Sequence, residues 1–177
     1  SKAKEDDLLK SWEGLGYYAR CRNFYKAAKI ICDDYNSEIP QSWDAFRGLP
    51  GVGDYTAGAV LSIAFNKPFI ALDGNVKRVM ARVTGRRKLS KYNINYIKNT
   101  LIKWLDNNRP GDFNEAMMEL GACICTPRNP GCNDCPINSA CVAYNSGNPL
   151  NYSNYIKKKR IPNYTFVGGL IRDQNKI

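Results

Sequence analysis

The chain has 177 residues and an ordinary globular composition, 44% hydrophobic, 24% charged and 11% aromatic, enough for one core-bearing domain or one and a half. Its 26 Lys and Arg against 16 Asp and Glu give a net charge of +10. That favours a polyanionic partner, nucleic acid before an anionic membrane surface, although a basic face serving only solubility reads the same way. No apolar run approaches the ~20 residues of a membrane span, no leader for export opens the chain, and the absence of His excludes Ser-His-Asp or Cys-His hydrolysis and His-ligated metals.

Most of the chain reads as helix. Residues 6–12 place Leu8, Leu9 and Trp12 on one face. Residues 17–35 carry Phe24, Ala27, Ala28 and Ile31 at three-to-four spacing, the pattern of a buried stripe, and stop before Pro40. Ser42 is placed to cap a short helix through Phe46 that ends at Gly48. Residues 55–65 are strongly apolar and read as a buried helix. Residues 76–83 read as another, closed by Gly85. Ile94, Ile97, Leu101, Trp104 and Leu105 keep helical period over 94–105. Asp112 followed by Glu115 resembles a capping box opening a helix to about residue 124. A Cys- and Pro-rich loop follows, then a short helix at 136–140. Residues 145–154 are rich in Asn, Ser, Gly and Pro and read as a linker. After the basic run Lys157, Lys158, Lys159 and Arg160, residues 165–171 alternate like a β-strand before a turn at Asp173-Gln174-Asn175. The chain starts at Ser1 and stops where a hairpin partner should begin, so it is expected to be a fragment.

Three features carry chemistry. Five of seven Cys fall between Cys123 and Cys141, and an odd, clustered set without an export signal points to metal rather than disulfides. Cys125, Cys132, Cys135 and Cys141 have the spacing C-x6-C-x2-C-x5-C. A structural zinc usually takes two close pairs; one pair with wider singles suits an iron–sulfur cubane, and the spacing leaves both open. Cys123 is expected to be a small core residue, and Cys21 and Cys32 structural residues of a helix. Leu49-Pro50-Gly51-Val52-Gly53 makes a tight turn between two helices. Its outward N–H groups at the next helix start suit a phosphate, though a plain helix connection also looks like this. Asp73, in Leu72-Asp73-Gly74-Asn75, is either an ordinary N-cap or a carboxylate fixed by the helix dipole to stabilise a developing cation.

Together these pieces resemble the helix-hairpin-helix DNA glycosylases with an iron–sulfur loop, and within them the adenine DNA glycosylase (MutY) branch. The resemblance rests on Gly14-Leu15-Gly16-Tyr17-Tyr18-Ala19-Arg20, on Leu49-Pro50-Gly51-Val52-Gly53-Asp54-Tyr55-Thr56-Ala57-Gly58-Ala59, on Leu72-Asp73-Gly74-Asn75-Val76-Lys77-Arg78-Val79, and on Asn114-Glu115-Ala116-Met117-Met118-Glu119-Leu120-Gly121-Ala122, all in one order. It implies removal of adenine mispaired with 8-oxoguanine or guanine in double-stranded DNA, after the base is flipped out, by hydrolysis through an oxocarbenium-like state. Asp73 matches the family's catalytic aspartate, and Asn75 and Tyr55 match residues that support it. Leu15 and Tyr17 match residues inserted into the DNA stack, with Arg20 beside them. Gly51, Val52 and Gly53 would hold a phosphate, often through a bound monovalent cation, and Arg128 would face DNA. Cys125, Cys132, Cys135 and Cys141 would ligate a 4Fe-4S cluster.

The endonuclease III branch places a Lys where this chain has Tyr55, as the amine of its Schiff base. The resemblance therefore implies a monofunctional glycosylase, with a glycosylase/lyase or a non-catalytic DNA-binding module as alternatives. Lys77 is the nearest other amine, expected on the helix beyond Asp73. The family's general acid is a Glu on an upstream helix that this chain does not carry, and Glu13 is a poor substitute, so the fragment is expected to be nearly inactive. The implied architecture is all-α. Residues 1–108 would form an incomplete six-helix barrel with the hairpin, 109–144 the iron–sulfur domain, 145–161 a linker and 162–177 the start of a C-terminal β-containing domain that recognises 8-oxoguanine. The protein would act as a monomer away from membranes, in the bacterial cytoplasm with the nucleoid, or in the nucleus or an organelle of a eukaryote.

Overall fold

Helical period sets the architecture. A computed structural model describes residues 2–153 together with Thr165 and Gly168. The basic run at 157–160 and, but for those two residues, the expected strand at 165–171 lie outside the described residues. Among the described residues the fold is all-α, as the sequence implies: α1 (Glu5–Ser11), α2 (Tyr18–Asp34), α3 (Trp43–Arg47), α4 (Asp54–Ile63), α5 (Gly74–Val83), α6 (Lys91–Trp104), α7 (Pro110–Glu119) and α8 (Val142–Asn145), with short 3-10 turns at Cys132–Asp134, Asn138–Ala140 and Pro149–Asn151. None of these helices is long and apolar enough to cross a membrane.

Burial divides the apolar residues into two clusters. One gathers Ala27, Phe46, Leu49, Ala57 and Leu61 from α2, α3, the hairpin and α4. The other gathers Val76, Val79, Met80, Ile97, Leu101 and Met117 from α5, α6 and α7, with Cys125, Ile137 and Cys141 packed against it. Between them the extended stretch 69–72 leads into α5. It lies so close to α4 that a Cβ on Gly58 would stand 2.0 Å from the Ile70 carbonyl oxygen. Asn114 of α7, 2% exposed, fixes that stretch. Its Oδ1 accepts from the Ala71 N–H (2.9 Å), and its Nδ2 donates to the Phe69 carbonyl (2.8 Å) and the Ser62 hydroxyl (2.8 Å). One buried amide thus joins α7, α4 and the approach to Asp73.

Several expectations are corrected. Phe24 is 66% exposed; the buried face of α2 runs through Cys21 and Ala27, and Phe24 looks into a groove beside the hairpin. The helix expected to open at Asp112 begins two residues earlier, at Pro110, whose fixed φ suits the first helical position. Asp112 instead accepts from Arg109 Nε (2.6 Å). Past Glu119 the helix widens into a π-turn, Leu120–Ile124, which leaves Cys123 exposed rather than in the core. In the stretch read as a linker, residues 145–148 are exposed, while at its described end Tyr152 and Ser153 are buried and the Ser153 N–H donates to the Arg86 carbonyl (3.1 Å).

Removing the amide of Asn114 leaves the buried Ala71 N–H without its partner and the half-buried Phe69 carbonyl without its donor. Asn114→Ala is expected to lower unfolding stability by about 3 kcal/mol or more, read from the midpoint of chemical denaturation at unchanged slope.

Candidate active site and cysteine loop

Asp73 caps α5 and is fixed at both oxygens. Oδ1 accepts from the Val76 N–H (2.6 Å) and Oδ2 from Asn75 Nδ2 (3.1 Å). The N-cap and the fixed-carboxylate readings are therefore one geometry: the bonds that start the helix also hold the anion still. Asn75 is oriented in turn, its Oδ1 accepting from Arg78 Nη2 (2.9 Å). The π-turn closes on it from the other side. A Cβ on Gly121 would stand 2.7 Å from Asn75 Cβ, so only glycine lets the two backbones meet here.

Arg78 and Arg82 are buried, at 7% and 3% exposure, and among the described residues neither pairs with a carboxylate. Arg78 Nε donates to the Cys125 carbonyl (2.8 Å) and its Nη2 to that of Gly121 (2.7 Å). Arg82 donates to the carbonyls of Thr126 (2.7 Å) and Pro127 (3.1 Å), and its Nη1 lies 3.3 Å from Cys125 Sγ. Sequence reasoning singled out neither. The available signal was their spacing: Asn75, Arg78 and Arg82 fall at i, i+3 and i+7, one stripe facing the cysteine loop.

Cys125, Cys132, Cys135 and Cys141 line one small cavity with Arg82, Leu120, Ile124 and Ile137. Burial, with Cys125 and Cys141 close by, pushes the Cys132 thiol above its ordinary value, and Arg82 opposes that rise. No three Cys, Asp or Glu side chains among the described residues converge on a single metal ion. The donor set is all sulfur, faced by one guanidinium. Cys21 is buried in α2, and its Sγ–H points at the Leu8 carbonyl (3.9 Å). Arg128 sits exposed in the same loop as Cys125 and Cys132.

The hairpin joins α3 to α4. Gly51 takes φ +80°, and the Val52 N–H closes the turn onto the Leu49 carbonyl (3.1 Å). Val52 therefore has no amide to offer a phosphate. The N–H groups at Gly53 and the first turn of α4 remain. The Val52 carbonyl accepts from Arg47 Nη1 (2.8 Å), which puts a fixed positive charge where a monovalent cation is expected. A groove beside the turn is lined by Trp12, Arg20, Asn23, Phe24, Gly51 and Val52. Next to it, Trp12 Nε1 donates to the Gly16 carbonyl (3.0 Å) and pins a loop whose Gly14, Gly16 and Tyr17 all have positive φ. Tyr17, at φ 48° and 83% exposed, and Leu15 stand out into solvent. Such a strained, bare aromatic at a helix start is the kind of outlier that functional sites carry.

Tyr55 follows the hairpin on α4, and its hydroxyl donates to Met118 Sδ (3.7 Å), three residues before the Gly121 that packs on Asn75. It also lines an open cleft of about 640 Å3, walled by Trp43, Phe69, Leu72 and Ile94 and edged by Asp54, Lys77 and Lys98. Lys77 thus shares a cleft with Tyr55, which the sequence did not indicate. Asp54 accepts from Arg47 Nε (2.8 Å) and Lys98 Nζ (3.3 Å).

Residues 1–103 match the family model described as HhH-GPD superfamily base excision DNA repair protein. The chain is 46% identical over 153 residues to an adenine DNA glycosylase of Schizosaccharomyces pombe, matching 85% of this chain and 33% of that protein. It is 40% identical over 166 residues to the adenine DNA glycosylase of Buchnera aphidicola subsp. Schizaphis graminum, 91% of this chain and 47% of that protein. It is also 40% identical over 146 residues to the human one, 81% of this chain and 27% of that protein. The chain therefore spans less than half the length of these relatives. Among solved structures it resembles a thermostable thymine-DNA glycosylase (TM-score 0.75, 29% identity, 82% of this chain and 68% of that one) and a trapped endonuclease III–DNA covalent intermediate (TM-score 0.68, 28% identity, 82% and 68%).

The Arg47 hydrogen bond, and after it that of Lys98, holds the Asp54 carboxyl below its ordinary 3.8. Its NMR titration midpoint is expected below 3.8, and Arg47→Met is expected to move it upward. Because the folded value is the lower one, the associated stability is present above the unfolded value and fades as pH falls through the folded midpoint. With a side chain 58% exposed, solvent screening keeps that contribution small.

Proposed function

The chain belongs to the HhH-GPD superfamily of base excision DNA repair proteins, and from that premise we propose that it is the core of an adenine DNA glycosylase. The substrate is double-stranded DNA in which adenine is mispaired with 8-oxoguanine or guanine. The observation that carries the reading is Asp73, anchored at both oxygens and next in the chain to Leu72, which lines a cleft together with Tyr55 of the hairpin helix.

The reaction breaks the bond between the deoxyribose C1′ and the adenine nitrogen, and its electrons leave with the base. Positive charge then develops on the sugar ring. A carboxylate already fixed by Val76 N–H and Asn75 faces that charge without reorganising, which is where electrostatic stabilisation is most effective. Protonation of the leaving adenine falls to another group, since both Asp73 oxygens act as acceptors. Water completes the hydrolysis at C1′.

Four surfaces support DNA binding. Gly53 and the first turn of α4 offer amides to a phosphate, with Arg47 or a bound monovalent cation as counter-charge. Arg20 shares the hairpin groove. Leu15 and Tyr17 are free to enter the stack opposite a flipped base. Arg128 adds a cation from the cysteine loop.

Cys125, Cys132, Cys135 and Cys141 would hold a 4Fe-4S cluster. The donor set fits: four thiols line one cavity, and an all-sulfur set of four suits an iron–sulfur cubane. When bound, the cluster supplies a compact anionic cross-link for the loop against α5.

Lys77 motivates a second reading, a glycosylase that also forms a Schiff base and cuts the strand. With full-length protein on an 8-oxoguanine–adenine duplex, single-turnover adenine release is expected to fall at least ~10³-fold in Asp73→Asn, while strand cleavage stays at background. Unchanged release in Asp73→Asn would contradict the assignment. A borohydride-trapped adduct that disappears in Lys77→Ala would move the protein to the glycosylase/lyase class.

A further inference from the structure

Arg82 touches more than the cysteine loop. Its Nε donates to the Pro149 carbonyl (3.1 Å), while Nη1 reaches Cys125 Sγ (3.3 Å) and the Thr126 carbonyl (2.7 Å). One guanidinium therefore bridges the sulfur of a proposed cluster ligand and the segment 149–153, which composition alone reads as linker. We propose that Arg82 is a positioning residue coupling cluster occupancy to the docking of residues 149–153, an inference that rests on the cluster reading of the four cysteines.

The argument is one of charge. Arg82 is 3% exposed, and among the described residues no carboxylate pairs with it. Carbonyl dipoles satisfy its hydrogen-bonding capacity but supply no countercharge. With a cluster bound, Cys125 is a thiolate and the cation has an anionic partner. With the cluster gone, that anionic partner goes with it, and the buried guanidinium gains by moving towards water. That movement breaks the Pro149 bond. Other anchors of the segment include the buried Tyr152 ring, with Arg87 over it, and the Ser153 N–H on the Arg86 carbonyl. Pro149 and Ser153 thus bond to α5 at Arg82 and to the loop just after it at Arg86, so a shift at Arg82 acts directly on the segment.

Hydrogen exchange followed by mass spectrometry tests this on anaerobically purified full-length protein, after iron and acid-labile sulfide have been measured. Removing the cluster with an iron chelator is expected to raise exchange in the peptide covering 149–153 at least tenfold, with α2 unchanged. In Arg82→Met, exchange there is expected to be high with or without the cluster. The cluster's reduction potential should also shift negative, since a cation 3.3 Å from a ligand sulfur is lost. Equal exchange in loaded and stripped wild-type protein overturns the proposal whatever the variant does. Wild-type protein lacking iron and sulfide overturns the cluster reading, and the proposal with it.

Discussion

Two buried guanidinium groups without carboxylate partners hold this molecule's functional parts in register. Isolated buried charge is among the most expensive things a fold can contain. Arg78 and Arg82 are surrounded mainly by carbonyls of residues 121–127, with the Asn75 side-chain oxygen, the Cys125 sulfur and the Pro149 carbonyl added. The α5 helix and the cysteine loop therefore depend on each other. Neither arginine is tolerable without the loop's carbonyls, and the two guanidinium groups tie the loop to α5 in addition to its own turn hydrogen bonds. Because Asp73 caps the same helix, the carboxylate proposed for chemistry and the thiols proposed for a cluster belong to one rigid unit.

A second constraint acts at the start of that unit. Asn114 and the missing side chain at Gly58 let α7 and α4 grip the stretch 69–72, and Gly121 lets the π-turn press on Asn75. Three backbone approaches thus converge around Asp73. Preorganisation of this kind is what a fixed anion needs to act on a cationic transition state. By contrast, the Leu15–Tyr17 loop and the hairpin groove are exposed and polar at their edges, as suits surfaces that meet a long polyanion.

Much of this was legible in the residues. Helical period located α4, α5 and α6 to within a few positions, because each buries a continuous apolar stripe. The hairpin and the Asp73 cap were legible because Gly51 and Asp73 are residue types with narrow conformational uses. Illegible were features decided by what lies across the gap. Phe24 keeps helical period with Ala27, yet it faces a groove. Cys123 is apolar enough for a core, but the π-turn rotates it outward. Asp112 stood at capping spacing, but Pro110 had already started the helix. Arg78 and Arg82 look like solvated positions because sequence does not display the ring of carbonyls that surrounds them. Residues 145–153 have a linker's composition, but Tyr152 and Ser153 at their end are buried.

The measurement that bears most directly on the dependence between α5 and the loop is the iron, acid-labile sulfide and zinc content of anaerobically purified protein. About four irons and four sulfides per chain are expected, the cubane's stoichiometry, giving Arg82 an anionic sulfur partner. Close to one zinc per chain without sulfide would contradict the cluster assignment.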